Sequence, residues 1–237
     1  MTCPLSIIIP VAQEDSAWRE LLRMLIPLRE EAEILIAATK HPPRDWNDLQ
    51  QSWGFETLAS PIKWLNCPAG RASQMNEAAR QAKGQHLWFL HADSHLSEDA
   101  LSALMKSLDR FPDDLHYFDL NFQSDGPVLM RLNAWGVWIR SHWFKMPFGD
   151  QGLSVSAENF HALRGFDDSL FYGEDHHFIW RTRIAGLKLR SVGTSITTSA
   201  RKYRDRGWLT TTCRHVWLTW RQALPLWCQL WKRRLFG

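Results

Sequence analysis

The chain is poor in the features that would place it at once. Its four cysteines (Cys3, Cys67, Cys213, Cys228) are scattered over 237 residues without a close pair. Neither a zinc ribbon nor a Cys-x-x-Cys redox motif is available, and reduced thiols are expected. There is no uncharged apolar run of about 18 residues or more, so no transmembrane helix is read. The opening, MTCPLSIIIPVAQED, has no basic leader and meets acid by Glu14, so no signal peptide is expected and the body should be cytoplasmic. A G-x-G-x-x-G is absent, which leaves a dinucleotide oxidoreductase unsupported. No internal repeat, low-complexity tract or convincing linker interrupts the chain. Acid is scarce in one region: from Arg201 onward Asp205 stands alone among nine Lys/Arg, so that end carries +8 while residues 1–200 carry −5. The tail, not the body, calls for an anionic partner.

What is present suffices for a sizeable core, with 45% of residues hydrophobic. LSIIIP (5–10) is a short continuous apolar run closed by proline, the pattern of a strand buried on both faces. A helix is expected from Ser16 to Arg29, with Trp18, Leu21, Leu22, Leu25 and Leu28 on one face and Asp15 or Ser16 as cap. EILIAA (33–38) and IKWLN (62–66) read as further strands, joined by a polar, proline-bearing loop with one turn of helix. A helix over Gly70–Lys83, ended by Gly84, leads to a fourth strand, HLWFLHAD (86–93). A helix over Ser97–Asp109 and an alternating, half-exposed strand at 115–122 come next.

Strand and helix alternate over the first 110 residues, which indicates an α/β sheet with right-handed crossovers. Ligands then bind outside the carboxyl ends of the strands, where Asp93 falls. Beyond, a tryptophan-bearing helix is expected within 127–145, short strands at 152–156 and 187–198, and a helix at 175–185. We read one domain, 1–207, with an appended helical region, 208–237.

Three acidic constellations fall in loops: HAD (91–93), GDQG (149–152) and GED (173–175). Taken singly, each has a bland reading: Asp93 as a helix cap, the two glycines as an ordinary turn, and Glu174 with Asp175 as acids at a helix N-terminus. Their order, with IIIPVAQE at the start, GRASQMNEAARQAKG (70–84) and the segment 149–189, resembles the family 2 glycosyltransferases of GT-A fold over roughly residues 5–210. It looks most like a small bacterial subgroup with LHAD in place of D-x-D and a TSARKY-like segment (198–203), sometimes labelled with arsenosugar biosynthesis.

That resemblance implies a Rossmann-like, mixed and mostly parallel sheet flanked by helices, plus the C-terminal helical region. It also implies transfer of a sugar from a nucleotide-diphosphate donor to an unidentified acceptor, with inversion, and a divalent cation, Mg2+ or Mn2+, at Asp93. Asp175 is implied as the base, with Glu174 as the neighbouring candidate. Pro10 and Glu14 in the first strand and its loop, Arg71 and Asn76 in the following helix, His91 in place of the usual first acid, Asp150 with Gln151, and Arg201 are implied on the donor or acceptor side.

One departure stands out. Where the family has an acid-bearing, serine-rich loop after the second strand, this chain reads AATKHPPRDW, with Asp45 and Asp48 late. Two other readings stay open: a non-catalytic membrane-surface scaffold that kept the fold, and a nucleotidyltransferase, although PVAQEDSAW lacks the glycine- and Lys/Arg-rich loop such an enzyme carries. His91 and His95, or His176 and His177, as transition-metal pairs are set against polar lining.

In the tail, Trp217, Trp220, Leu224, Trp227 and Trp231 recur at helical spacing among Arg214, Arg221 and Lys232–Arg234, and Pro225 is expected to kink or divide the helix. The stripe suits an anionic membrane surface, which would make the protein peripheral at the inner face of the membrane. It equally suits packing on the domain or into a dimer. No nucleic-acid motif accompanies the charge, and no nucleic-acid partner is expected.

Overall fold

The structure, a computed structural model, describes residues 4–12, 15–28, 32–53, 62–170 and 172–236, with the side chains of 229–236 left aside. Its centre is an eight-stranded sheet ordered β3-β2-β1-β4-β7-β6-β8-β5. These strands are β1 (Leu5–Val11), β2 (Ala32–Ala38), β3 (Lys63–Asn66), β4 (His86–Phe89), β5 (His95–Leu96), β6 (Leu115–Phe122), β7 (Ser154–Ser156) and β8 (Leu189–Thr198). β1, β2, β3 and β4 are mutually parallel, as are β6 and β8; β7 joins the two groups antiparallel, and β5 closes the far edge antiparallel to β8.

β1 and β2 are buried along their whole length, as continuous isoleucine-rich runs demand. Successive side chains in a strand point to opposite faces. Accordingly Ile7 and Ile9 enter one core cluster and Ile8 the other. The first cluster is closed by α1 (Trp18–Leu25) and α4 (Ala100–Arg110), the second by α3 (Arg71–Gln81), whose small residues Ala72, Ala78 and Ala79 let it lie close to the sheet. Expected α1 ran to Arg29. It ends at Leu25, and a short 3-10 turn covers Ile26–Leu28, because Pro27 supplies no amide donor. The polar loop holds α2 (Trp46–Ser52), and its Trp46 packs edge-on against Trp64 at 5.2 Å.

Three sequence readings are corrected. Gly84 does not end α3, which stops at Gln81; a Cβ at Gly84 would sit 2.4 Å from the Ser6 amide nitrogen, so glycine permits close passage over β1. β6 does not alternate through its first half: Leu115 to Phe118 are all buried, Tyr117 in one core cluster and Phe118 in the other. The tail is not divided at Pro225, since α9 runs as one helix over Trp208–Phe236.

The remaining helices are α5 (Met130–His142), α6 (Ala157–Ala162), α7 (Glu174–Ile184) and α8 (Arg201–Arg206). α6, β5 and α8 are too short to carry a readable period. α9 packs against the domain: Ala223 is fully buried with Met146 and Trp180, and Trp227 meets Trp180 at 6.1 Å. Among the described residues no helix is long and apolar enough to cross a membrane.

Candidate functional site

Strand order reverses direction at β1, with β2 on one side and β4 on the other, so a crevice opens at their carboxyl ends. Gln74 of α3 maintains this edge: its Nε2 donates to the carbonyls of Val11 (2.8 Å) and Ala37 (2.7 Å), tying the ends of β1 and β2 together. Above them lies a hollow of about 280 Å³ lined by residues that include Asp15, Arg19, Thr39, Lys40, His41 and Trp64. The late acid Asp45 turns back on Arg19 in two hydrogen bonds of 3.0 Å, which hold its carboxyl below the usual range. The loop's carboxylate therefore braces one wall residue of the hollow.

Elsewhere in the fold the three separated acidic motifs converge. Gly173, at φ 82°, turns the chain into α7 and places Glu174 and Asp175 in its first turn. Asp175 Oδ2 accepts the Gly149 amide at 2.6 Å, and Oδ1 accepts the His176 amide at 2.7 Å. Arg71, at the start of α3, reaches Glu174 at 3.6 Å. Gly149 is crowded from both sides: a Cβ there would lie 2.7 Å from Arg71 Nη2 and 2.9 Å from Asp175 Oδ2.

Asp150 belongs to the same cluster, and its Oδ1 is shielded from solvent with no hydrogen-bond partner among the described residues. Burial pushes its carboxyl up; Arg140 and Arg71 oppose that, while Asp175 and Asp93 reinforce it. A desolvated acceptor left unmatched is costly. Asp93 follows β4 in a turn, with Thr198 Oγ1 donating to its Oδ2 at 3.3 Å.

His91 makes close contact with Arg71 through Nε2. Burial, then the charges of Arg71 and Lys202, hold its imidazole well below the ordinary value. It is therefore neutral near pH 7, with Nε2 accepting from the guanidinium, and its presence beside an arginine needs no acid.

Of the residues singled out in the sequence, Asp93, His91, Arg71, Asp150, Glu174 and Asp175 are brought together. Pro10 is buried in β1 opposite Ala37. Gln151 turns inward: fully buried, it accepts from Arg140 (2.9 Å), Ser141 (2.9 Å) and the Phe148 amide (3.1 Å), and donates to the Phe118 carbonyl (2.9 Å). Asn76 holds Phe166 by paired bonds to its carbonyl and amide (2.8 and 2.9 Å). Arg201 lies on the surface by Ser199 and Asp125, while Lys202 beside it is the α8 cation felt by His91. Glu14 lies outside the described residues.

Sequence reasoning missed Arg140. From the last turn of α5 it stacks 3.5 Å over the Phe148 ring, within the fields of Asp150, Asp175 and Tyr203, and burial lowers its pKa. No motif surrounds it, so only the packing of α5 against β6 exposes it.

Among the described residues no three His, Cys, Asp or Glu groups could enclose a metal ion by themselves. His95 bonds Gln123 and His176 bonds Gln222 and Trp180, so these histidines have polar partners. Asp93, by contrast, forms no ion pair with a cationic side chain among the described residues. A single hard oxygen donor of this kind fits a divalent cation whose other ligands come from a bound diphosphate, and does not fit a protein-only cage.

The architecture has counterparts among known structures. A mannosyltransferase from Pyrobaculum calidifontis, solved with GDP-Man and Mn2+, is 15% identical, with a TM-score of 0.68 over 93% of this chain and 64% of its own. TarS residues 1–349 from S. aureus, solved with UDP-GlcNAc, is 15% identical, with a TM-score of 0.61 over 83% and 58%. GalNAc-T7, solved with UDP, GalNAc and Mn2+, gives 13%, 0.61, 84% and 44%. The chain thus spans under two thirds of the length of each, and the likeness is one of GT-A fold. No curated protein sequence matches the chain significantly. The sequence model of glycosyl transferase family 2 matches residues 6–171, across the crevice, the Asp93 turn and the Gly149 turn, so the chain belongs to glycosyl transferase family 2.

Proposed function

We propose that the protein transfers a sugar from a nucleotide-diphosphate donor to an acceptor hydroxyl, with inversion at the anomeric carbon. The observation that supports this best is the convergence of Asp93, Asp150 and Asp175 from three distant segments beside Arg71, in a chain whose residues 6–171 match family 2. In this reading the hollow at the ends of β1 and β2 takes the nucleoside, with Asp15, Thr39, Lys40 and His41 substituting for the family's acidic loop. Glu14 and Arg201 belong to the proposed donor contacts. Asp93 would hold Mg2+ or Mn2+ together with the diphosphate; the cation's contribution when bound is to stabilise negative charge on the leaving group.

The rest falls to the chain's own groups. Asp175 takes the acceptor O–H proton as that oxygen bonds to the anomeric carbon and the bond to diphosphate breaks, so no covalent enzyme intermediate forms. Both its oxygens already accept amide bonds, and each keeps a further lone pair. The two amides fix the carboxylate's direction. Arg71, steadied by neutral His91 and by Glu174, presents its guanidinium to the cleft, where a diphosphate is the fitting partner. The division into a catalytic domain, 1–207, and a tail, 208–237, and the tail's meeting with an anionic membrane surface are part of the proposal.

The test is a panel of UDP, GDP, TDP and CDP sugars incubated with protein and Mg2+, Mn2+ or EDTA, with release of nucleoside diphosphate measured. Cation-dependent release from one donor supports the reading. A folded sample that neither turns over nor is stabilised by any donor would leave the non-catalytic relative.

A further inference from the structure

α5 and α9 lie side by side and run the same way. Near their starts Asn133 bonds Thr212 (3.1 Å) and Trp208 (2.7 Å); near the end of α5, Phe144 meets Trp220 edge-on at 5.7 Å. Each helix turns an apolar row to solvent. Val128, in the turn just before α5, and Leu132 and Trp135 on it are 88, 56 and 65% exposed. On α9, Leu209, Val216, Trp217 and Leu224 are all more than half exposed. Phe144 and Trp220, each about a third exposed, join the two rows.

Charge identifies what covers this surface. Neither α5 nor α9 contains an aspartate or glutamate, whereas Arg131, Arg214 and Arg221 are exposed along them and Lys232 to Arg234 follow in the sequence of α9. Two copies meeting through this same face would therefore set cation against cation. A broad aromatic and aliphatic surface whose two helices carry cations and no acid matches the headgroup and acyl boundary of an anionic bilayer.

We propose that α5 and α9 together form one membrane-docking face, built for a bilayer containing anionic lipid. It rests on the reading of the tail as surface-seeking and extends it, because half of the face comes from inside the catalytic domain.

The experiment uses the full chain, sedimented with phosphatidylcholine vesicles or with equimolar phosphatidylcholine and phosphatidylglycerol. Three proteins are compared: wild type, Leu132→Asp with Trp135→Asp, and Val216→Asp with Trp217→Asp. Wild type should pellet with the anionic vesicles alone and be released by salt. Each double variant should lose about tenfold or more in partitioning, since two large apolar groups leave the lipid. A cooperative melting transition like that of wild type should persist in both, showing that they fold. Milder Trp135→Ser and Trp217→Ser variants replace any that do not fold. If only the α9 variant loses binding, the tail reading survives and the shared face falls. Absence of wild-type binding, or a dimer in solution that either variant dissociates, overturns both. Donor turnover is read separately, so loss of either proposal leaves the other standing.

Discussion

Asp175 and Gly149 are joined by a 2.6 Å hydrogen bond from amide to carboxylate, across 26 positions of sequence. The acid at the start of α7 is thereby aimed by the backbone of the turn that carries Asp150. A carboxylate so held suits general-base work, which contributes roughly 10²- to 10⁴-fold. Asp175→Ala should lower kcat by about that factor while donor binding, read by thermal shift, stays near wild type. Unchanged turnover would remove Asp175 from the mechanism.

Gly149→Ala should impair turnover with little loss of stability. Its methyl group would press on Arg71 and Asp175 at 2.7 and 2.9 Å, and whichever yields leaves its place in the site. Steady-state kinetics together with a melting curve separates this outcome from general unfolding, which would lower both.

Asp93→Ala should abolish the cation-dependent part of donor binding. A donor at roughly 100 times its dissociation constant adds about 2.7 kcal/mol, several degrees at this chain length. The measurement is the difference between Mn2+ and EDTA in wild type and variant. An equal difference in the two would place the cation elsewhere.

Gln151→Ala tests whether that side chain serves the fold or the ligand. Four hydrogen bonds converge on it in a fully buried position, and removing such a hub costs ~2–4 kcal/mol. Denaturant titration should show this loss. A ligand-contacting residue would instead change KM and leave the midpoint in place.

Acid should destabilise the protein before its carboxylates titrate. Burial holds the imidazoles of His116 and His176 down to about 4 from 6.5. Because the folded values are depressed, the unfolded chain binds protons first. Their contribution is present in full above about 6.5 and is lost as pH falls from there toward about 4. Urea midpoints across that window should fall, and less steeply in His116→Gln. A midpoint that holds steady across the window would contradict the assignment.

Much of this was legible in the residues. LSIIIP and EILIAA read as strands covered on both faces, and the order of HAD, GDQG and GED pointed to one site through its resemblance to the family 2 glycosyltransferases. Other parts were hidden for definite reasons. Alternation along LHYFDLNF suggested a half-exposed strand, but helices cover both faces of its first half. Gln151 and Asn76 share the polarity of ligand contacts and are spent on partners within the fold; sequence does not distinguish a buried amide from a free one. Arg140 had no neighbouring signal at all, as its role arises from where α5 packs.

Gln74 bridges the carbonyls of Val11 and Ala37 without itself lining the hollow between them. One amide therefore acts as a calliper, fixing the span between two strand tips. Which donor fits can then change through a residue that no donor touches, and a survey of donor preference confined to the lining would overlook it.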